Sequence, residues 1–209
     1  MVFEIKEIKN PKLDKFYKKS MKELEEFFGI KWKYNPPFII LIPDRKTINS
    51  LNQEKTEDWL VGWASGRAIY LLDSKNYEKE SCHKYSEEEY SATIKHELAH
   101  CFTKIISKGL KVPSWLSEGI SIYLSGQNKF KNKPEKFVKF LEFYNRGGKG
   151  IYGESGFAVG LLVKKYGKKK LLSLVHQCGK SKNEKEFKRL FKRIYGFELN
   201  YKNFNVLIK

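Results

Sequence analysis

The sequence predicts an α+β fold, with a small sheet and one long helix in the first half and helices through the rest. Two observations carry this. Apolar residues return every three to four positions along most of the chain, the period of one helix face. Short runs rich in β-branched and aromatic residues, "FIILI" (38–42), "WLVGWASG" (59–66) and "RAIYLLD" (67–73), all fall before residue 74 and read as strands. A chain of 209 residues with 41% hydrophobic side chains can bury the core of one large domain or of two lobes sharing a cleft.

The elements follow in order. In "NPKLDKFYKKSMKELEEFFGI" (10–30), Leu13, Phe16, Tyr17, Met21, Leu24, Phe27 and Phe28 keep helical spacing, and Gly29 supplies a C-cap. "KWKYNPPFIILIPD" (31–44) reads as a strand interrupted by Pro36 and Pro37, with "FIILI" its buried part. The runs at 59–73 form two strands or one hairpin turning near Ser65 and Gly66, and "SKNYEKESCHKYS" (74–86) is a polar loop. From Ser86 the pattern is helical through "SEEEYSATIKHELAHCFTKII" (86–106). Ser86 with Glu89 three positions on is a capping-box pattern, and Glu87, Glu88 and Glu89 suit the positive end of the helix dipole. Gly109 stops this helix. "VPSWLSEGISIYLSG" (112–126) starts another near Pro113 and closes it at Gly126. Beyond the basic "QNKFKNK", helical segments are expected near 134–145, 153–166, 168–178 and 184–195. The turn near 107–112 divides an N-terminal α/β lobe, 1–109, from a helical, basic C-terminal lobe, 110–209.

The opening "MVFEIKEIKN" alternates apolar and charged side chains and lacks the apolar stretch of a signal peptide. "FIILI" is far too short to span a bilayer. The expectation is a soluble, cytoplasmic protein without membrane contact. Cys82, Cys101 and Cys178 are sparse, odd in number and without C-x-x-C spacing, as befits reduced thiols. The net charge of +17 is uneven: residues 1–126 hold 20 Lys and Arg against 18 Asp and Glu, residues 127–209 hold 21 against 6. Lys164, Lys165, Lys168, Lys169 and Lys170 form the densest cluster. Because only 5 of the 41 basic residues are Arg, a solvated lysine surface with weak, nonspecific nucleic-acid binding is expected rather than sequence readout.

The stretch "TIKHELAHCF" (93–102) contains two of the chain's 4 histidines. A helix turns about 100° per residue, so His96 and His100 lie about 40° apart and one turn from each other, and both imidazoles can reach one ion. Glu97 sits one step round the helix, beside such an ion rather than on it. Ile94, Leu98, Cys101 and Ile105 make an apolar stripe next to the ligand face. A catalytic zinc takes three protein ligands and keeps one open position. Glu118, 18 residues beyond His100 on the next helix, is the candidate for the third. His83 in its polar loop and His176 in "LLSLVHQCG" are not expected as ligands; His176 reads as a core or cap histidine. Cys101 reads as a small buried hydrophobe.

H-E-x-x-H followed at this distance by "WLSEG" (115–119) resembles the gluzincins, the thermolysin-like and aminopeptidase-N-like zinc peptidases, over residues 86–126 and more loosely over 59–73 and 150–178. The resemblance implies one Zn2+ per chain, held by His96, His100 and Glu118. It also implies a thermolysin-like zincin fold, with a small mixed sheet and active-site helix before a mainly helical lobe and zinc in the cleft between. The implied activity is hydrolysis of peptides or unfolded proteins: zinc acidifies its water and polarises the carbonyl, and Glu97 takes the water proton and passes it to the leaving amine. Some gluzincins place an oxyanion-donating tyrosine in a Y-x-x-G-like segment. "YGESGFAVGLLVKKYG" (152–167) is similar, making Tyr152 catalytic, although Gly156 follows it by four positions; Tyr144 and His176 are the substitutes. "SGRAIYLL" (65–72) stands where such enzymes place the sheet edge that an extended substrate joins. No exopeptidase motif accompanies it, so an endopeptidase is implied. The alternative is a latent or non-catalytic zinc module that docks nucleic acid or acidic proteins through its basic lobe.

Overall fold

The structure, a computed structural model, describes residues 3–208. It is α+β, with helices dominating and a three-stranded mixed sheet. Helix α1, Pro11–Phe28, opens with the Asn10 side chain accepting from the Leu13 N–H at 3.1 Å, and closes on Gly29 at φ +70°. Strand β1, Phe38–Ile42, leads through the short helix α2, Arg45–Asn52, to β2, Gly62–Ser65, and β3, Ala68–Leu72. The sheet order is β1-β3-β2, with β1 parallel and β2 antiparallel to β3. "RAIYLL" is therefore the central strand, and the sheet edge on the hairpin side is β2. The expectation of an edge strand at 65–72 is corrected, because Ala68–Leu72 has a partner on each side. The segment expected as a loop at 74–86 contains one short helix, α3, Tyr77–Glu80.

Helix α4, Glu87–Ile106, starts as its sequence signals: the Ser86 hydroxyl accepts from the Glu89 N–H at 3.1 Å. Its Tyr90 hydroxyl donates to the Leu72 carbonyl at 2.8 Å, tying the helix to β3. Ile94, Leu98 and Cys101 are buried, but Ile105 is 43% exposed, because α4 is nearly at its end there and Phe102 takes the inward position instead. The chain turns through Lys108 and Gly109, both at positive φ, into α5, Ser114–Ser125. Next come α6, Ser155–Tyr166; α7, Lys168–Cys178; α8, Glu184–Tyr195; and α9, Tyr201–Ile208. Buried side chains from α1 to α9 form one continuous core. Among the described residues no helix is long and apolar enough to cross a membrane.

The helix expected at 134–145 is absent; only a short 3-10 turn at Phe140–Glu142 forms there. The backbone N–H groups that a helix would use have tertiary partners. The Glu154 carboxylate, 9% exposed, accepts from Val138, Lys139 and Phe140 at 2.9–3.2 Å. Phe137 donates to Asn205 Oδ1 at 2.6 Å, and Leu141 to the Tyr201 hydroxyl at 3.1 Å. The segment also presents carbonyls: Phe143 and Tyr144 accept from the Trp115 and Ser114 N–H groups at 2.9 and 3.0 Å. Those donors open α5, where Pro113 has no side-chain oxygen to cap them.

Candidate metal centre

Helices α4 and α5 bring His96, His100 and Glu118 together, with one potential ligand atom from each lying within 4.8 Å of the others. Gly119, next to Glu118, sets the packing of α5 on α6. A Cβ at Gly119 would stand 2.6 Å from the Ser155 carbonyl oxygen and from Val159 Cγ2, so only glycine lets α6 pack against α5 here. The carboxylate spans both imidazoles, with Oε2 at 3.3 Å from His96 Nε2 and Oε1 at 3.5 Å from His100 Nε2. The two Nε2 atoms are 3.1 Å apart. Two ring nitrogens at that distance need a proton or a metal ion between them.

The far side of each ring is also held. Gln127 Oε1 accepts from His96 Nδ1 at 2.9 Å, and the Ser117 hydroxyl meets His100 Nδ1 at 3.1 Å. The Gln127 acceptor fixes the His96 ring hydrogen at Nδ1 and turns its Nε2 lone pair inward, while the Ser117 hydroxyl holds the orientation of the His100 ring. Neither Gln127 nor Ser117 was singled out from sequence. Ser117 immediately precedes Glu118 and could have been found from helix geometry, whereas nothing local points to Gln127, which follows the Gly126 cap.

The residues fit a zinc ion. Glu118 Oε2 is buried and has no hydrogen-bond donor, which is costly for a carboxylate and is relieved by a cation. Burial alone would raise the Glu118 pKa, but His100 and His96 outweigh it and hold the carboxyl well below the usual range. Burial would likewise lower His100, yet Glu118, then Glu97, leave it raised above the ordinary imidazole value. The pocket thus favours positive charge beside Glu118. Two imidazoles and a carboxylate are a zinc-type donor set. Among the described residues no fourth His, Cys, Asp or Glu joins it.

Glu97 is 7% exposed and outside the ligand group, facing the cleft between α4 and the sheet. Two cavities meet there, of about 400 Å3 towards Gln127 and about 550 Å3 towards His100. His96, Glu97, Trp59 and Tyr152 line both. Tyr152 sits in the turn before α6 with its ring centroid 6.0 Å from that of Trp59. Burial first, then Glu118 and Glu97, raise its pKa, so the phenol keeps its proton. The substitutes lie elsewhere: Tyr144 packs on Phe187, and His176 is exposed with Nδ1 3.3 Å from the Ile106 carbonyl, where it caps α4. His83 is outside the ligand group, with Nε2 3.0 Å from the Trp59 carbonyl. Cys101 is buried and Cys82 exposed.

The cleft wall opposite α4 is β2 with the loop before it. The Leu72 N–H donates to the Val61 carbonyl at 2.8 Å. In an antiparallel pair the bonded positions alternate, so Gly62 and Ala64 turn their N–H and C=O groups away from β3. Both line the larger cavity. The loop is fastened by Arg45, whose guanidinium donates to Thr56 Oγ1 and to the carbonyls of Glu57, Asp58, Leu60 and Glu80 at 2.7–3.2 Å. Sequence gave no signal for this clamp.

Comparison of the chain with protein-family models, with curated proteins and with solved structures finds no match.

Proposed function

We propose that the chain is a zinc-dependent metallopeptidase of the gluzincin type, with a thermolysin-like arrangement of sheet, active-site helix and glutamate helix. One observation carries the reading: three inward-facing ligand groups include a buried carboxylate oxygen without a hydrogen-bond donor, and a second carboxylate, Glu97, stands beside them at the junction of two cavities. A structural zinc site would close with a fourth ligand. His96, His100 and Glu118 would hold zinc, which supplies Lewis-acid polarisation of a carbonyl and acidification of water when bound.

The chain's own groups divide the remaining work. Gln127 and Ser117 orient the two imidazoles. Glu97 accepts the proton of the attacking water and passes it to the leaving amine. Tyr152, held protonated, donates to the developing oxyanion. Gly62 and Ala64 offer the backbone groups to which an extended peptide adds as a strand. The substrates are therefore peptides or unfolded chains.

The test combines metal content with turnover. Wild type is expected to carry one zinc per chain and to cleave an unstructured protein. Glu118→Ala should lose the metal. Glu97→Gln should keep it and cleave at least ~100-fold more slowly. Full zinc occupancy in Glu118→Ala, or near wild-type cleavage by Glu97→Gln, refutes the assignment.

A further inference from the structure

The smaller cavity, on the Gln127 side of Glu97, has a composition that the hydrolytic machinery does not require. Its walls include the rings of Trp59, Tyr77, Phe130 and Tyr152, and Lys131 lies among them. Of the charges around it, Glu97 is the proposed proton acceptor and most of the others are engaged. Glu87 pairs with Lys12 and Glu88 with Lys129, while the Glu89 carboxylate accepts from the Ser86 hydroxyl. His83, which also lines the cavity, meets the Trp59 carbonyl. Among the described residues Lys131 alone there is a cation with no carboxylate within ion-pair distance. It is also partly withdrawn from water. Burial pushes its ammonium pKa below the ordinary value, and Glu89 opposes this only in part.

We propose that this cavity is a carboxylate-binding subsite in which Lys131 selects peptides presenting a single negative charge on that side of the scissile bond. The proposal rests on the peptidase reading for its role in turnover, though not for the binding itself. A partly dehydrated ammonium without a counter-ion gains from a carboxylate that completes its shell. The volume of about 400 Å3 lies within the range of ligand pockets, ~300–1,000 Å3, and the rings suit the apolar part of a peptide residue. Phosphate fits less well, because one lysine offers a point charge without an arginine fork, and Glu89 and Glu97 on the same walls repel a dianion about twice as strongly as a single carboxylate. The carboxylate has two chemical sources, an acidic side chain or the free C-terminus of a short peptide.

Binding distinguishes them. The chain carrying Glu97→Gln, supplied with zinc, is titrated calorimetrically with alanine peptides bearing Glu or Gln at each position in turn, each with a free or amidated C-terminus. Glu at one position, or the free C-terminus, is expected to tighten binding about tenfold, the scale of one charge-assisted hydrogen bond. Adding Lys131→Met should remove that preference, so that charged and neutral peptides bind alike. Lys131→Glu should shift the preference to Lys-containing peptides. Equal affinity for charged and neutral peptides, a preference that survives Lys131→Met, or competition by inorganic phosphate as strong as by the carboxylate peptides would overturn the proposal. Lys131-dependent binding by a chain whose wild type cleaves nothing leaves the subsite standing and removes the peptidase reading. Cleavage without carboxylate preference does the reverse.

Discussion

Replacing Gln127 by Ala leaves all three proposed ligands in place and tests whether the outer hydrogen bonds set metal affinity. In the structure Gln127 Oε1 lies 2.9 Å from His96 Nδ1 and holds the ring hydrogen there. Without that acceptor the hydrogen is free to move to Nε2, where Glu118 Oε2 waits at 3.3 Å. The competing tautomer is then stabilised by a charge-assisted hydrogen bond and occupies the lone pair that would bind metal. The lost bond is worth about 1 kcal/mol, and the tautomer competition adds a comparable amount. The sum corresponds to zinc binding weakened about 10- to 100-fold. The assay is zinc titration of the metal-free chain in competition with a chromogenic chelator at neutral pH. Gln127→Glu retains an acceptor at the same place and should bind at least as tightly as wild type. Zinc affinity of Gln127→Ala within a factor of two of wild type would refute the orienting role.

Three further outcomes follow from the packing around the site. Arg45→Ala leaves several loop carbonyls without their donor; it should lower stability by about 2 kcal/mol and open residues 53–61 to limited proteolysis, with KM for peptides rising more than kcat falls. Gly119→Ala drives a Cβ to 2.6 Å from the Ser155 carbonyl oxygen; overpacking of this kind costs about 1–3 kcal/mol and should appear as a lower urea midpoint. Of the three thiols, exposed Cys82 should react at once with a thiol reagent, whereas Cys101 and Cys178, buried and pushed up to about 11, should react only on unfolding. Unfolded thiols ionise near ~8.5, so the native chain holds more protons between there and about 11. Stability is thus lost as pH rises through that window, and a denaturation midpoint that stays flat across it would contradict the burial of these groups.

The parts of the site that depend on spacing within one element were legible in the sequence. An i, i+4 histidine pair on a capped helix, with a glutamate on the next helix, needs only helix geometry and one turn. What escaped depends on partners far along the chain. The apolar residues Phe137, Phe140 and Leu141 keep helical spacing, so 134–145 reads as a helix. The structure gives those backbone N–H groups to Glu154, Asn205 and Tyr201 instead, up to 68 residues away. No local pattern announces that a carboxylate will satisfy three consecutive amides. The sheet edge was misread for a related reason. The more apolar of two neighbouring runs, Ala68–Leu72, is central and doubly paired, and the edge goes to Gly62–Ser65, whose glycine and small residues tolerate an open cleft.

The same long-range bonds explain why the third proposed ligand has a fixed position at all. Helix α5 begins behind Pro113, which offers neither a side-chain cap nor an N–H, and Glu118 lies only one turn inside it. Its opening amides are satisfied by the Phe143 and Tyr144 carbonyls. Those carbonyls belong to the irregular segment that Glu154 holds by three amides. Glu154 stands two residues beyond Tyr152, and the helix it precedes packs on Gly119. The segment that would have been a helix is therefore a strut: by giving up its internal hydrogen bonds it connects the tyrosine turn to the start of the glutamate helix. Tyr152 and Glu118 come from elements more than thirty residues apart, yet both are held through Glu154 and the amides it binds.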